Sequence, residues 1–286
     1  MTSGVWRVGV LLCVCACHRA GSTVPHPGAT KLRAEYTVTV LDGLRGAQVR
    51  ACFDGAPVYA LAPIGTSPTR RLRSAWQDDR ALEIDDGRIL LGESGRAGCV
   101  EYATRFSSSW VPSDGSNVIA PQSQWLWRPS PFPDDVDVAV RFVLPPGARV
   151  SLPWPHVDGA YRPDDGAFFA DAYVVFGTFE TEQLSSGKTQ VEVALLGPRP
   201  STDAVRRWLG RAMRAASSLG SFPKSDVHFV VAPVDVPRRD VVFGMLRRGG
   251  GASILLVPSV RASGEGLDED WVAVHELSHL WVPPFE

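Results

Sequence analysis

The spacing of apolar residues changes once along this chain, near residue 198, and that change constrains the fold more than any other feature. Before it, apolar residues stand at alternate positions in short segments, as in Tyr36, Val38 and Val40. Alternation is typical of strands with one buried face, and Gly, Pro and Asp turns separate the segments. The sequence therefore predicts an α+β fold that begins with an antiparallel β domain over residues 32–197, of sandwich or saddle shape.

The second region, residues 198–286, mixes helices with buried strands. Apolar residues stand three or four positions apart from Val205 to Leu219, and Gly220 follows as a stop signal. The apolar runs "DVHFVVAP" and "GGASILLVP" predict two buried strands. A last helix is predicted over 268–281, because its acidic first residues suit the positive end of a helix dipole.

The first residues have the layout of a secretory signal. A lone Arg7 precedes an apolar run that is too short to span a bilayer, so residues 1–21 are predicted to be a signal peptide and 22–31 a flexible tether. Val14-Cys15-Ala16-Cys17 resembles a lipoprotein processing site with Cys17 as the lipidated residue; the alternative is ordinary cleavage near Ala20. Either way we expect an exported protein: periplasmic, secreted, or tethered to a membrane through Cys17.

Two cysteines remain once the leader is set aside. Cys52 and Cys99 form an even pair, and in an oxidising compartment such a pair predicts one disulfide that closes a long loop. The alternative is two separate buried thiols that behave as small apolar residues.

Charge argues against nucleic acid as a partner. The formal net charge is -2, and no basic block supplies the positive footprint that phosphate-backbone binding requires.

The stretch "VAVHELSHLW" carries the chemistry. On a helix, residues four apart project from the same face, so His275 and His279 can present two imidazole nitrogens to one zinc ion. Glu276 points beside them, where a carboxylate can take a proton from water. The alternative is an exposed helix that carries two unrelated histidines.

A glycine run precedes this helix in the sequence. Gly249 to Gly251, followed by the apolar run 252–257, is the pattern of a sheet-edge strand that another backbone can approach closely. We therefore predict substrate-binding residues at Gly250, Gly251, Ala252 and Ser253. Taken alone, the glycines are also compatible with a plain turn.

From about Glu35 onward the chain resembles the glycyl aminopeptidase-like gluzincins. The segments that carry the resemblance are "GSFPKSDVHFVV", "RRGGGASILL" and "DWVAVHELSHLWVPP". The resemblance implies an N-terminal β domain followed by part of a thermolysin-like catalytic domain, a peptide or protein substrate, and zinc as cofactor. It implies that His275 and His279 are zinc ligands, that Glu276 is the general base, and that the strand 250–255 is the substrate-binding edge.

The same resemblance places the third zinc ligand on a Glu of a later helix. We therefore expect this chain to be the N-terminal part of a zinc metallopeptidase, cut short after the HExxH helix. The alternative is a catalytically inactive exported β-domain protein, for binding or scaffolding, that keeps a remnant of the peptidase.

Overall fold

The computed structural model describes residues 31–282 apart from 66–70, 93–97, 108–114, 134, 188, 224–225 and 238. The predicted signal peptide, Cys17 and almost all of the tether lie outside the described residues. Among the helices of the described part, none is long and apolar enough to cross a membrane.

Alternating apolar residues form the strands of the first region, as the sequence pattern predicts. The described strands of this region are β1 (Leu32–Val40), β2 (Gly46–Asp54), β3 (Ala60–Pro63), β4 (Leu72–Gln77), β5 (Arg80–Ala81), β6 (Ile84–Asp85), β7 (Arg88–Leu90), β8 (Gly98–Arg105), β9 (Asn117–Ile119), β10 (Trp127–Ser130), β11 (Val136–Val143), β12 (Arg149–Ser151), β13 (His156–Val157), β14 (Ala160–Tyr161) and β15 (Val175–Gly177). Short 3-10 turns lie at Asp42–Leu44, Gln122–Gln124 and Asp165–Phe168.

These strands form three sheets around one core. The largest has the order β13-β14-β11-β1-β2-β8-β4-β5, and the smaller sheets are β10-β3-β7-β6 and β12-β15-β9. Neighbouring strands are antiparallel except β1 and β11, which are parallel. Tyr36 and Tyr102 are fully buried between the sheets, and their hydroxyls donate to the carbonyls of Trp127 and Trp125, each at 2.9 Å. The paired hydroxyls allow large aromatic side chains to fill this core.

Cys52 and Cys99 lie directly opposite each other on β2 and β8. The structure joins them by a disulfide that spans 47 positions of sequence. The cysteine count predicts this disulfide, and the antiparallel register of β2 and β8 brings the two cysteines close enough to form it.

The second region is built on a five-stranded sheet of order β16-β17-β18-β20-β19. Its elements are β16 (Glu180–Ser186), β17 (Thr189–Leu195), α1 (Thr202–Ser217), β18 (Asp226–Val231), β19 (Val241–Arg247), β20 (Ala252–Pro258), α2 (Gly264–Glu269) and α3 (Val272–Ser278), and a 3-10 turn at His279–Trp281 follows α3. Trp208 and Leu209 of α1, both fully buried, pack with Leu277 of α3 in one core on the helix side of this sheet.

The observed fold is α+β, as the sequence predicts. The sequence also predicts that the β domain ends at residue 197, but in the structure the sheet of the second region already begins with β16 at Glu180. The strands β16 and β17 alternate like those of the first region, yet β17 pairs with β18 in parallel. Periodicity identifies a strand but not the sheet that it joins, since hydrogen-bond partners are set by the tertiary fold.

A buried polar contact links the two regions. Ser151 at the end of β12 donates to Glu192 of β17, and its Oγ lies 2.7 Å from Nε2 of His228 on β18. Since the hydroxyl proton goes to the carboxylate, His228 donates through Nε2. Burial lowers the pKa of His228 to about 3, so the ring is neutral at ordinary pH.

We predict that the disulfide contributes to stability by restricting the unfolded chain. Replacing both cysteines, Cys52→Ala with Cys99→Ala, should lower the free energy of unfolding by about 2–4 kcal/mol, measured by urea titration. A reducing agent should destabilise the wild type to the same level and leave the double variant unchanged. Equal stability of the two oxidised proteins would contradict this role.

A second prediction concerns His228 and the stability of the folded protein in acid. The pKa of this histidine is 6.5 in the unfolded chain and about 3 in the folded chain. Because the unfolded chain takes up the proton first, the folded state loses stability as the pH falls from about 6.5 to about 3. The slope is up to ~1.4 kcal/mol per pH unit. In His228→Gln, which retains a donor for Ser151, the slope should be shallower between pH 4 and 6. The exposed His156→Gln is the control, and parallel profiles for wild type and His228→Gln would refute the assignment.

Candidate metal centre

The helix α3 begins after a sharp break in the chain. The sequence pattern predicts one helix over 268–281, but the structure has α2 ending at Glu269 and α3 starting at Val272. Asp270 lies between them in extended conformation, and its Oδ1 accepts from the Val272 N–H at 2.8 Å. Its carboxylate therefore satisfies an amide at the start of α3, a role that acidic composition alone does not reveal.

His275 lies in α3 and His279 follows it one turn later, as the first residue of the 3-10 turn, on the same side. Their Nε2 atoms are 3.1 Å apart, and His275 is exposed while His279 is half-buried. The rings of Trp271 and His275 pack nearly perpendicular to each other, with centroids 4.9 Å apart. Together with a carboxylate oxygen of Glu276, the ligand atoms all lie within 4.8 Å of one another. The structure thus brings together the three residues of the HExxH pattern.

Glu276 faces the sheet rather than solvent. Its side chain is buried, and Oε2 accepts from the backbone N–H of Leu246 on β19 at 2.9 Å. That contact requires α3 to lie close to β19 at Gly244, where an added Cβ would stand 2.5 Å from Val272 Cγ1 and 2.9 Å from Glu276 Cγ. The missing side chain at Gly244 therefore sets the distance between the helix and the strand.

The strand beside α3 is β19, so the predicted substrate edge at 250–255 is wrong. The strand β20, which contains Ala252 and Ser253, lies between β18 and β19 and is buried along its whole length. The strand β19 pairs with β20 on one side and is the last strand of the sheet on the other. A strand inside a sheet has no free backbone groups to offer a substrate.

The glycine run serves the contact between the two regions instead of a substrate. A Cβ on Gly251 would stand 1.9 Å from the carbonyl oxygen of Pro153, and the Gly249 carbonyl accepts from the Trp154 indole at 2.7 Å. Gly250 has a φ of 73°, which favours glycine. Ser253 is buried, and its Oγ accepts from the Tyr173 N–H at 2.9 Å. Close backbone approach is thus real, but the approaching backbone belongs to the β domain.

A charged cluster at the end of β19 is absent from the sequence predictions. Arg247 forms an ion pair with Asp171, and its guanidinium lies 4.6 Å from the ring centroid of Tyr173. Asp171 also accepts from Ser123, at 3.1 Å from the backbone and 2.8 Å from the hydroxyl. Burial is the main cause that raises the pKa of Tyr173, and Arg247 opposes it. Asp171 and Arg247 are 76 positions apart, so no local pattern signals their contact.

The residues fit zinc in donor type and spacing. Zinc takes imidazole nitrogen at about 2.0–2.1 Å, which sets two tetrahedral ligands roughly 3.3 Å apart, close to the observed 3.1 Å between the Nε2 atoms. Arg248 supports the second histidine, since its guanidinium donates to the carbonyl of His279 and, at 2.7 Å, to that of Val282. Among the described residues, no other His, Cys, Asp or Glu joins this cluster.

Comparison with known proteins yields structural matches only. No protein-family model matches the chain, and no curated protein does. An aminopeptidase N family protein from Idiomarina loihiensis is similar over 87% of this chain and 47% of its own, with a TM-score of 0.66 and 15% identity. An M1 zinc metallopeptidase from Deinococcus radiodurans matches 89% of this chain and 65% of its own, with a TM-score of 0.45 and 14% identity. The chain therefore shares the fold of the Idiomarina protein and spans about half of its length.

Gly244 provides a direct test of how the site is assembled. Gly244→Ala should push α3 away from β19, break the hydrogen bond between Glu276 and Leu246, and cost about 1–3 kcal/mol of stability. The matched control is Gly210→Ala in α1, where the new Cβ meets only the end of Arg214 at 3.5 Å and should stabilise by up to ~1 kcal/mol. Urea unfolding of both variants gives the comparison, and a Gly244→Ala protein as stable as wild type would contradict the tight contact.

Proposed function

We propose that this protein is a zinc-dependent metallopeptidase of the HExxH, gluzincin type. The observation that carries the proposal is the convergence of His275 Nε2 and His279 Nε2 on a helix that packs against the last strand of a sheet. The shared fold with an aminopeptidase N family protein supports it.

In the proposed site, His275 and His279 hold the zinc ion. Bound zinc supplies a Lewis acid, which makes water more acidic and polarises a carbonyl group. Glu276 takes the proton of the attacking water and delivers it to the leaving amine. Its carboxylate is prepared for this because the Leu246 N–H holds Oε2 in place, and burial among Val272 and β19 limits its rotation.

We propose that the peptide substrate binds along the free edge of β19. An extended peptide can add to a sheet edge through backbone hydrogen bonds, and β19 is the terminal strand nearest to Glu276. Met245, which is exposed, and Arg247 project from this strand. The role first assigned to residues 250–253 thus passes to 241–247.

A third protein ligand completes the proposed site. Catalytic zinc normally has three protein ligands and one open position, whereas the described residues supply two imidazoles. We propose that a carboxylate from outside the described residues supplies the third. The inactive scaffold remains the second candidate, because two imidazoles alone hold zinc weakly.

The proposed protein is exported. The support is the layout of residues 1–21, with Cys17 as the proposed lipid attachment site, and a disulfide between Cys52 and Cys99, which suits an oxidising compartment.

Two substitutions separate metal binding from proton transfer. In a form that contains the third ligand, Glu276→Gln should keep zinc near one per chain yet lower peptide turnover about 10²–10⁴-fold, because the amide cannot take a proton. His279→Ala should lose both the metal and the activity, and the exposed His156→Ala should keep both. Zinc is measured by atomic spectroscopy, and turnover with a mixture of fluorogenic peptides.

The two described imidazoles alone should hold zinc weakly and support little peptide hydrolysis, so zinc affinity and turnover should both be higher in a form that supplies the third ligand. Stoichiometric zinc and normal turnover in the 286-residue chain would show that the third ligand is not needed from elsewhere. A form that supplies the third ligand and binds zinc but cleaves no peptide would favour the inactive scaffold.

A further inference from the structure

A cleft of about 630 Å³ opens at one end of the largest sheet, and none of its described lining residues belongs to the metal centre. Three arginines line it: Arg45, Arg73 and Arg105. All three are exposed. Within residues 31–282, as far as the structure describes them, no Asp or Glu lines the cleft and none of the three arginines has an ion pair. Among the described residues the three arginines thus form a local group of positive charge in a chain of net charge -2.

The sheet register brings the arginines together. Arg105 ends β8 opposite Gly46 of β2, and the Arg45 carbonyl accepts from the Phe106 N–H at 3.1 Å. A Cβ on Gly46 would stand 2.1 Å from the Thr104 carbonyl oxygen, so glycine permits this close pairing. Arg45 and Arg105 are therefore fixed beside each other by backbone contacts.

Arg73 joins them from the other side of β8. It lies in β4 at an irregularity of the pairing between Leu72 and Ser74, and the neighbouring Arg71 carbonyl accepts from the Arg105 N–H at 3.0 Å. Such a bulge redirects a side chain relative to a regular strand. The three arginines thus come from adjacent positions in the sheet: Arg45 immediately precedes β2, Arg105 ends β8, and Arg73 lies in β4.

The floor of the cleft is apolar and its rim is strained. Leu41 is 44% exposed, and Leu44 and Phe106 are half-buried along the same cleft. Leu44 has a φ of 54°, a conformation that costs free energy for a bulky residue and that clusters at ligand-binding sites. Apolar surface beside three like charges suits an occupant that carries both a negative charge and an apolar portion.

We propose that this cleft binds a ligand with a phosphate monoester group joined to an apolar portion. A phosphate dianion offers three oxygens, and guanidinium groups pair with phosphate through parallel N–H donors. A carboxylate carries one charge on two oxygens and would leave part of the trio unpaired. The apolar portion covers Leu41, Leu44 and Phe106. This site is independent of the proposed peptidase activity.

The test begins with inorganic phosphate, titrated by calorimetry at low ionic strength. Wild type should bind it saturably, and each of Arg45→Gln, Arg73→Gln and Arg105→Gln should weaken binding about fivefold. The control is Arg50→Gln, which removes the same charge from β2 on the same sheet but from a residue paired with Glu101 at 3.9 Å; it should leave binding unchanged. No saturable binding to wild type, or an equal loss in the control, would overturn the proposal.

Two further probes identify the source of the phosphate group. Phenyl phosphate should bind more tightly than inorganic phosphate, because its ring covers the apolar floor, and equal affinities would overturn the apolar part of the proposal. Sedimentation with vesicles that contain phosphatidic acid, a lipid whose headgroup is a phosphate monoester, tests a lipid source, and phosphatidylcholine vesicles are the comparison. The variant that combines Arg45→Gln, Arg73→Gln and Arg105→Gln is compared with wild type carrying the same N-terminus. If this variant loses vesicle binding, the ligand is a lipid. If wild type binds phenyl phosphate tightly but does not bind vesicles, the ligand is a soluble organic phosphate.

Discussion

The close contact between α3 and β19 is the interaction on which the candidate site depends. Gly244 has no side chain, so Val272 and Glu276 can approach the strand to a distance that any Cβ would prevent. The approach lets the Leu246 N–H reach the Glu276 carboxylate. With Glu276 turned to the sheet, the helical repeat directs His275 and His279 to the open side. One absent side chain thus orients all three residues of the motif.

The two regions of the chain hold each other in register around this contact. Trp154 and Pro153 of the first region meet the glycine run at 249–251, and Asp171 holds Arg247 at the end of β19. Ser151 adds the buried contact with Glu192 and His228. The β domain therefore fixes the start of β20 and the end of β19, which in turn fixes the strand that faces Glu276.

Sequence periodicity predicts the elements and the motif, because both depend on residues close in sequence. Alternation identifies β1, and the HExxH spacing alone places His275 and His279 on one face of a helix. Contacts between distant residues are different. The edge position of β19 depends on strand order, and the glycine run at 249–251 fits a substrate and a neighbouring domain equally well. Asp171 and Arg247 meet only because the two sheets pack together.

The break between α2 and α3 shows the same limit at short range. Acidic residues at 268–270 suit a helix start by charge, yet Asp270 acts through one hydrogen bond to Val272 while its neighbours end the previous helix. Both arrangements place negative charge near the first turn of a helix. Composition therefore indicates that a helix begins nearby, and backbone geometry decides at which residue.

The most direct measurement of the central claim is anomalous diffraction at the zinc absorption edge, from crystals, grown with zinc, of a form that supplies the third ligand. The account predicts one strong peak within about 2.0–2.1 Å of both His275 Nε2 and His279 Nε2, with Glu276 beside the metal but not bound to it. A peak elsewhere on the chain, or histidines that bind no metal while α3 keeps its contact with β19, would contradict the assignment of this helix as a metal centre.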